Sequence, residues 1–211
     1  MADLEFFFDP ICPWAWVTSR WVAEVQGLRD YDVEWRFISL KMINEARADG
    51  NYSKFRDGHL ASLYTHRVCD EVRIQHGNAA VGAVYEALGD AFYTHPRVPK
   101  INDDPAAFMT EILKAADLPT DYASHVRDES HDAYIRHDTE VALGRTGRDV
   151  GTPIITFHPG QADESSFFGP VISSIPRGAE ALKLWDAIEL IATQTGVSEL
   201  KRSNRAELNF N

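Results

Sequence analysis

Strand-like patterning occurs only near the two ends of this 211-residue chain, which restricts the fold to a β-containing frame interrupted by a long helical segment. At the first end, the apolar run Phe6-Phe7-Phe8 reads as a strand. Val17, Trp21, Val25 and Leu28 then recur at helical spacing, with Arg20, Glu24 and Arg29 off the stripe. Val33, Trp35 and Phe37 alternate with Glu34 and Arg36, and Ile38 and Leu40 follow, the pattern of a strand buried more deeply at its far end. From about residue 51 to 149 the strand signal disappears, and the windows 55–74, 79–93, 105–116 and 132–143 are helical in composition and spacing. Asp104 before Pro105 predicts a helix start, and Leu118-Pro119 an end. Ile154-Ile155-Thr156-Phe157, the turn-rich His158-Pro159-Gly160-Gln161 and Ser166-Phe167-Phe168-Gly169 predict a hairpin. From Arg177 onward Leu184, Ile188 and Ile191, with Leu182 and Trp185 alongside, predict a second long amphipathic helix ending near Gly196, followed by a polar tail from Ser198. The expected organisation is an α/β domain built from residues 1–50 and 149–211, with residues 51–148 as an all-helical insertion after the second strand.

A net charge of −11 and a pI near 5.1 argue against nucleic acid or an anionic membrane as partner, because both would repel the protein's field. Met1-Ala2-Asp3-Leu4-Glu5 leads straight into strand-like residues without the basic and apolar regions of a secretory signal, so the expected location is the cytoplasm. Oligomeric state is left open by the sequence. Two cysteines make no disulfide framework, and in a reducing compartment a cysteine in an electropositive setting is a reactive one.

Cys12 has that setting. It stands where the first helix begins, ahead of Pro13, whose missing N–H costs nothing at a first helical position. The first amides of a helix lack intrahelical acceptors, and the macrodipole places partial positive charge at the same end, so both favour thiolate over thiol. Trp14, next in line, is an apolar wall for substrate or a core residue, and Trp16 is a core residue.

The element order is that of a thioredoxin fold interrupted after its second strand, and particular residues add a family likeness. Phe8-Asp9-Pro10-Ile11-Cys12-Pro13-Trp14, Thr18-Ser19-Arg20-Trp21, Ser39-Leu40 with Asn44-Glu45, Asp149-Val150-Gly151-Thr152-Pro153, and Phe168-Gly169-Pro170 through Ile175-Pro176-Arg177-Gly178 to Leu184-Trp185-Asp186 span most of the chain. On these stretches the chain resembles the DsbA-like oxidoreductases, and most closely their cytoplasmic branch of mycothiol-dependent reductases. The resemblance implies that Cys12 is the nucleophile, that Pro153 is a cis-proline facing it, and that Pro13, Trp14, Thr152 and Asn44 contact substrate. It also implies a low-molecular-weight thiol, mycothiol or glutathione, as cosubstrate, with no tightly bound cofactor. The thiol's partner would be a disulfide or an apolar electrophile. A transferase or isomerase of the kappa class, or a binding protein with the same fold and no redox cycle, are the alternative readings.

Family members that cycle between dithiol and disulfide carry Cys-Pro-Trp-Cys, and this chain has Ala15 in the last place. A mixed disulfide on Cys12 would therefore wait for an external thiol, giving a one-cysteine cycle. Ala15 is equally compatible with a substitution made to trap an intermediate, and with a protein that binds a thiol without forming a bond. Cys69, inside a predicted helix, is expected to be core. His125, His131 and His137 are spaced by six, unlike ligand pairs that share a helix face, so no metal is expected. His131-Asp132 and His137-Asp138 read as polar helix faces. Asp9 either influences Cys12 or forms an Asp-Pro turn, and Arg56, Arg67 and Arg73 either reach a carboxylate-bearing thiol or solvate a helix.

Overall fold

The computed structural model describes residues 2–45, 52–95 and 101–210, the side chains of residues 52–56 excepted. The α/β class and the helical insertion after the second strand are both present. The chain divides into two compact units, one formed by Met1–Phe8, Cys12–Arg36 and Ala142–Asn211, the other by Asp9–Ile11 and Phe37–Val141.

The first unit is built on a four-stranded sheet in the order β2-β1-β3-β4, with β1 Leu4–Phe8, β2 Val33–Phe37, β3 Ile154–Phe157 and β4 Ser165–Phe168. β1 is buried along its whole length because it is an inner strand with both faces covered. The Asp3 N–H donates to the Asp32 carbonyl at 2.8 Å, so β1 and β2 start side by side and α1, Pro13–Arg29, is the crossover between them. β3 runs antiparallel to β1 in the register Phe6↔Ile155 and forms the expected hairpin with β4. α1 and α7, Gly178–Thr193, meet through Trp21, whose ring lies 5.2 Å from that of Trp185 and whose Nε1–H donates to the Ala181 carbonyl at 3.0 Å. Phe157 and Tyr31 pack on the same indole. Leu28, read as the end of the α1 stripe, is 48% exposed: the buried stripe stops at Val25, one turn before Asp30 closes the helix in a left-handed conformation.

A charge sits inside this unit. Glu5, buried on the inner strand, accepts from Arg36 Nη1 at 2.6 Å and from Arg145 Nη1, and Arg145 also donates to Thr156 Oγ1 at 3.0 Å. His158, at the end of β3, lies between Asp163 at 2.8 Å and Glu189 at 2.9 Å. Burial opposes its protonation, but the two carboxylates outweigh that penalty and hold the imidazole above its ordinary range. Stability from this pairing is then complete below about pH 6.5 and is lost as the pH rises through the folded-state value. His158 has φ +52, so asparagine is the replacement that tolerates the backbone. In urea titrations His158→Asn should remove a pH-dependent loss of at most about 1 kcal/mol that the parent chain shows between roughly pH 6 and 9; identical pH profiles would refute it.

The second unit is helical. It contains α2 Leu40–Glu45, α3 Tyr52–His76, α4 Asn78–Gly89 with a π-helical extension Asp90–Thr94, α5 Pro105–Ala115, the 3₁₀ segments Thr120–Arg127 and Glu129–His131, and most of α6 Asp132–Thr146. Asp104 caps α5 by accepting from the Ala107 N–H at 3.0 Å, ahead of Pro105, as the sequence predicts. The second strand does not continue through Leu40. It ends at Phe37, and Ser39 turns the chain into α2, its carbonyl accepting from Ile43 N–H at 3.0 Å. Two polar-face readings are also corrected. His131 is buried and paired with Asp70, and Asp138 is buried, accepting from the Phe37 N–H at 3.2 Å at the end of the strand. Among the described residues no helix is long and apolar enough to cross a membrane.

Candidate active site

Cys12 is the N-cap of α1, with extended φ/ψ of −89° and 109°, Pro13 as the first helical residue and the Trp16 N–H donating to the Cys12 carbonyl at 3.1 Å. The strand hands the chain to the helix at this residue, so the sulfur stands at the positive end of the helix dipole. Its residue is 9% exposed. In this conformation the sulfur makes no capping bond to the helix amides; Sγ lies 3.5 Å from the Thr152 carbonyl oxygen, toward which a thiol S–H points. The two arrangements suit different protonation states. A thiol can donate to a carbonyl, whereas a thiolate is repelled by it and must turn to the unpaired amides of the first turn.

Thr152 is itself pinned, its Oγ1–H donating to the Phe7 carbonyl at 3.1 Å across the start of β3. The Thr152-Pro153 peptide is cis, and so is Gly169-Pro170. The Pro153 carbonyl accepts from the Gly169 N–H at 2.9 Å, and the Pro170 carbonyl from Thr18 Oγ1 at 2.8 Å. The two cis prolines and the first turns of α1 are thus tied together through Gly169 and Thr18. Gly169 has φ +99°, and a Cβ there would come within 3.1 Å of the Val171 nitrogen, so the turn before Pro170 requires glycine.

Around the sulfur, Trp16 and Ala15 are buried, while Trp14 and Pro13 are half-buried. Ala15, at 0% exposure, fills the position where a second thiol would stand with a methyl packed into the unit's core. The polar tail returns to this face: the Arg205 guanidinium lies 5.0 Å from the Trp14 ring centroid, and the Asn209 N–H donates to the Ser173 carbonyl at 2.7 Å. No periodicity in residues 198–210 marks this contact, which depends on a partner far away in the chain.

The remaining residues singled out by the sequence lie in the second unit. The Asn44 amide donates to the Leu40 carbonyl at 2.8 Å, within its own short helix. Asp9 is fully buried, and its Oδ1 accepts from the Ile11 N–H at 3.0 Å and from Ser62 Oγ, its Oδ2 from the Leu40 N–H at 2.7 Å. It is more than a turn residue. Arg67 is buried in a two-pronged pair with Asp132 at 2.7 and 2.8 Å, and Arg73 pairs with Asp70 and lies 3.7 Å from the Tyr134 ring centroid, so neither is a free helix-solvating cation. The Arg56 side chain lies outside the described residues. Cys69 is completely buried, and burial pushes its thiol far above the ordinary range, with Asp70 adding to the effect. Core packing accounts for it.

Residues 11–202 match the family model described as Rv2466c-like, mycothiol-dependent nitroreductase Rv2466c. The chain belongs to this family. A Mycobacterium tuberculosis relative, the uncharacterized protein Rv2286c, is 28% identical over 211 residues, covering 96% of this chain and 82% of that one. Among solved structures, the chain is similar to SCO1869 of Streptomyces coelicolor, described as a probable DsbA oxidoreductase, with 17% identity, a TM-score of 0.60 and coverage of 96% and 94% of the two chains. It is also similar to the cytosolic disulfide reductase DsbM of Pseudomonas aeruginosa solved with GSH, at 15% identity and a TM-score of 0.54, over 78% of this chain and 88% of that one. These structural likenesses establish the DsbA-like thioredoxin fold. Membership of the Rv2466c-like family places the chain among redox enzymes.

Proposed function

We propose that this Rv2466c-like chain is a cytoplasmic thiol–disulfide oxidoreductase that works with Cys12 alone and a low-molecular-weight thiol, mycothiol in preference to glutathione. The observation that carries the reading is the place of Cys12 Sγ at the start of α1, 3.5 Å from the carbonyl that precedes cis Pro153. Extended thiols and peptides pair with backbone of that kind, leaving the reactive sulfur of the substrate beside the nucleophile. The family's mycothiol dependence favours that thiol, and the similar DsbM, solved with GSH, supports a small-thiol substrate in general.

The cycle has two exchanges. Cys12 thiolate attacks a substrate disulfide; one S–S bond breaks, the leaving sulfur departs as thiolate, and a new S–S bond joins Cys12 to the other half. An external thiolate then attacks that mixed disulfide, restoring Cys12 and carrying the second half away as a disulfide. Each turn consumes one external thiol and releases one substrate thiol, and the mixed disulfide of the external thiol with the second half replaces the substrate disulfide. With a methyl at position 15, no neighbouring thiol competes for the intermediate. Pro13, Trp14, Thr152 and Pro153 frame the sulfur, Trp14 through the half-buried face that also holds Arg205.

Only the thiolate attacks, so the reading requires an acidic thiol. Alkylation of Cys12 followed against pH should reach half its limiting rate at least about one unit below the pH near 8.5 at which an ordinary cysteine does so. Mass spectrometry of chain isolated from its native cell should find a small-thiol adduct on Cys12. An ordinary titration together with no adduct would refute the proposal.

A further inference from the structure

The second unit holds a cluster that the redox reading leaves unused. Glu71 on α3, His125 in the first 3₁₀ segment and His131 in the second bring one ligand atom each within 4.8 Å of one another, and Asp128 between the two segments adds a fourth. His125 Nδ1 is 3.2 Å from His131 Nε2 and 3.4 Å from Asp128 Oδ2, while Glu71 Oε2 is 3.8 Å from His131 Nε2 and 4.0 Å from His125 Nδ1. His131 Nε2 is 3.9 Å from Asp128 Oδ2. Bonds of about 2.0–2.1 Å at tetrahedral angles put ligand atoms roughly 3.3–3.4 Å apart. The edges from His125 to His131 and to Asp128, 3.2 and 3.4 Å, already match, and those from Glu71 to the two histidines and from His131 to Asp128, 3.8 to 4.0 Å, would close by roughly half an ångström around a bound ion.

The surroundings orient these atoms in the way metal ligands are oriented. His131 Nδ1 lies 2.8 Å from Asp70 Oδ2, a geometry that directs that nitrogen at a carboxylate acceptor and turns Nε2 to the cluster. A buried carboxylate behind a ligating histidine is the usual outer partner of an imidazole–zinc bond, and Asp70 is held in turn by Arg73. Gln75 Nε2 donates to Glu71 Oε1 at 2.9 Å, and the Ser130 N–H donates to Asp128 Oδ1 at 3.0 Å, so the other oxygen of each faces the histidines. Among the described residues no lysine or arginine pairs with Glu71 or Asp128. Two carboxylates therefore share the cluster with imidazoles that have no fixed charge, and a divalent cation would supply what is missing.

We propose that Glu71, His125, Asp128 and His131 form a structural binding site for a zinc-class divalent cation, which pins the 3₁₀ segments to α3. Two imidazole nitrogens with carboxylate oxygens suit zinc among the divalent ions, and four protein ligands leave no position open for substrate. The site is independent of the cysteine chemistry.

Cobalt(II) titrated into the full-length, tag-free chain, stripped with a chelator and alkylated at Cys12 to remove thiolate ligands, tests it. One equivalent should bind with the intense visible absorption of a low-symmetry cobalt site, and zinc should displace it. His125→Ala, at a half-exposed ligand, and Glu71→Gln should each weaken binding by more than about tenfold. Zinc should raise the thermal midpoint of the parent chain and not of either variant, a readout that stands even if a variant is less stable from the outset. Absence of cobalt uptake by the parent chain, or uptake and zinc-induced stabilisation that persist unchanged in both variants, would overturn the proposal.

Discussion

Cys12→Ser should lower thiol-dependent turnover by roughly a thousandfold or more while leaving the fold intact. The hydroxyl that replaces the thiol is not ionised near neutral pH and cannot form the mixed disulfide, so both exchanges are lost together. Serine is nearly isosteric with cysteine, and its hydroxyl can still donate to the Thr152 carbonyl, which stands 3.5 Å from Sγ. The other cysteine offers no rescue. Cys69 is fully buried, and burial holds its thiol far above the range in which it ionises. Cys69→Ala should accordingly keep full turnover and cost only about 1 kcal/mol of packing. Turnover by Cys12→Ser at more than about a tenth of the parent rate would transfer the chemistry to a bound thiol acting as its own nucleophile, the transferase-like alternative. Urea unfolding measured beside the kinetics separates loss of chemistry from loss of fold.

The parts of this molecule that were legible in sequence are those governed by period and by single-residue backbone chemistry. Alternation predicted β2 through Val33, Trp35 and Phe37, and Asp104-Pro105 predicted the start of α5, because both signals are complete within a few residues. The Cys12-Pro13 start of α1 was readable for the same reason. What escaped depends on partners remote in the chain. His125 and His131 sit six apart on paper, yet the break at Asp128 folds one 3₁₀ segment onto the next and brings their rings to 5.3 Å. Nothing in the sequence marked Glu5, in the stretch that leads into the first strand, as buried, and only the arrival of Arg36 and Arg145 makes its burial possible. Leu40 looked like strand because its hydrophobicity is indifferent to period, and the Asp9 carboxylate that fixes its N–H lies 31 residues earlier. Arg205 met Trp14 by the same kind of long return.

Asp9→Ala should destabilise the chain by about 3–5 kcal/mol, which for a protein of this size is a fall in Tm of roughly 10 °C. The carboxylate is fully buried, and its three donors, the Ile11 N–H, the Leu40 N–H and the Ser62 hydroxyl, have been withdrawn from bulk water. Among the described residues no lysine or arginine pairs with it, so these hydrogen bonds are what makes the buried charge tolerable. Nearby His59 does not serve as a counter-ion: burial holds its imidazole below the ordinary range, the pull of Asp9 upward being insufficient and Lys41 adding to the depression. Alanine removes the acceptor and leaves the donors in place, so the full desolvation penalty of each falls on the folded state. It would release α2 at its first amide, and α3 at Ser62, from the segment that leads into Pro10-Ile11. Asp9→Asn keeps one acceptor oxygen but turns an amide N–H₂ toward donors, and should recover less than half of the loss. The midpoint and slope of urea unfolding decide the matter: a change below about 1 kcal/mol at constant slope would mean that water replaces the carboxylate, and that Asp9 does no more than favour the Asp-Pro turn.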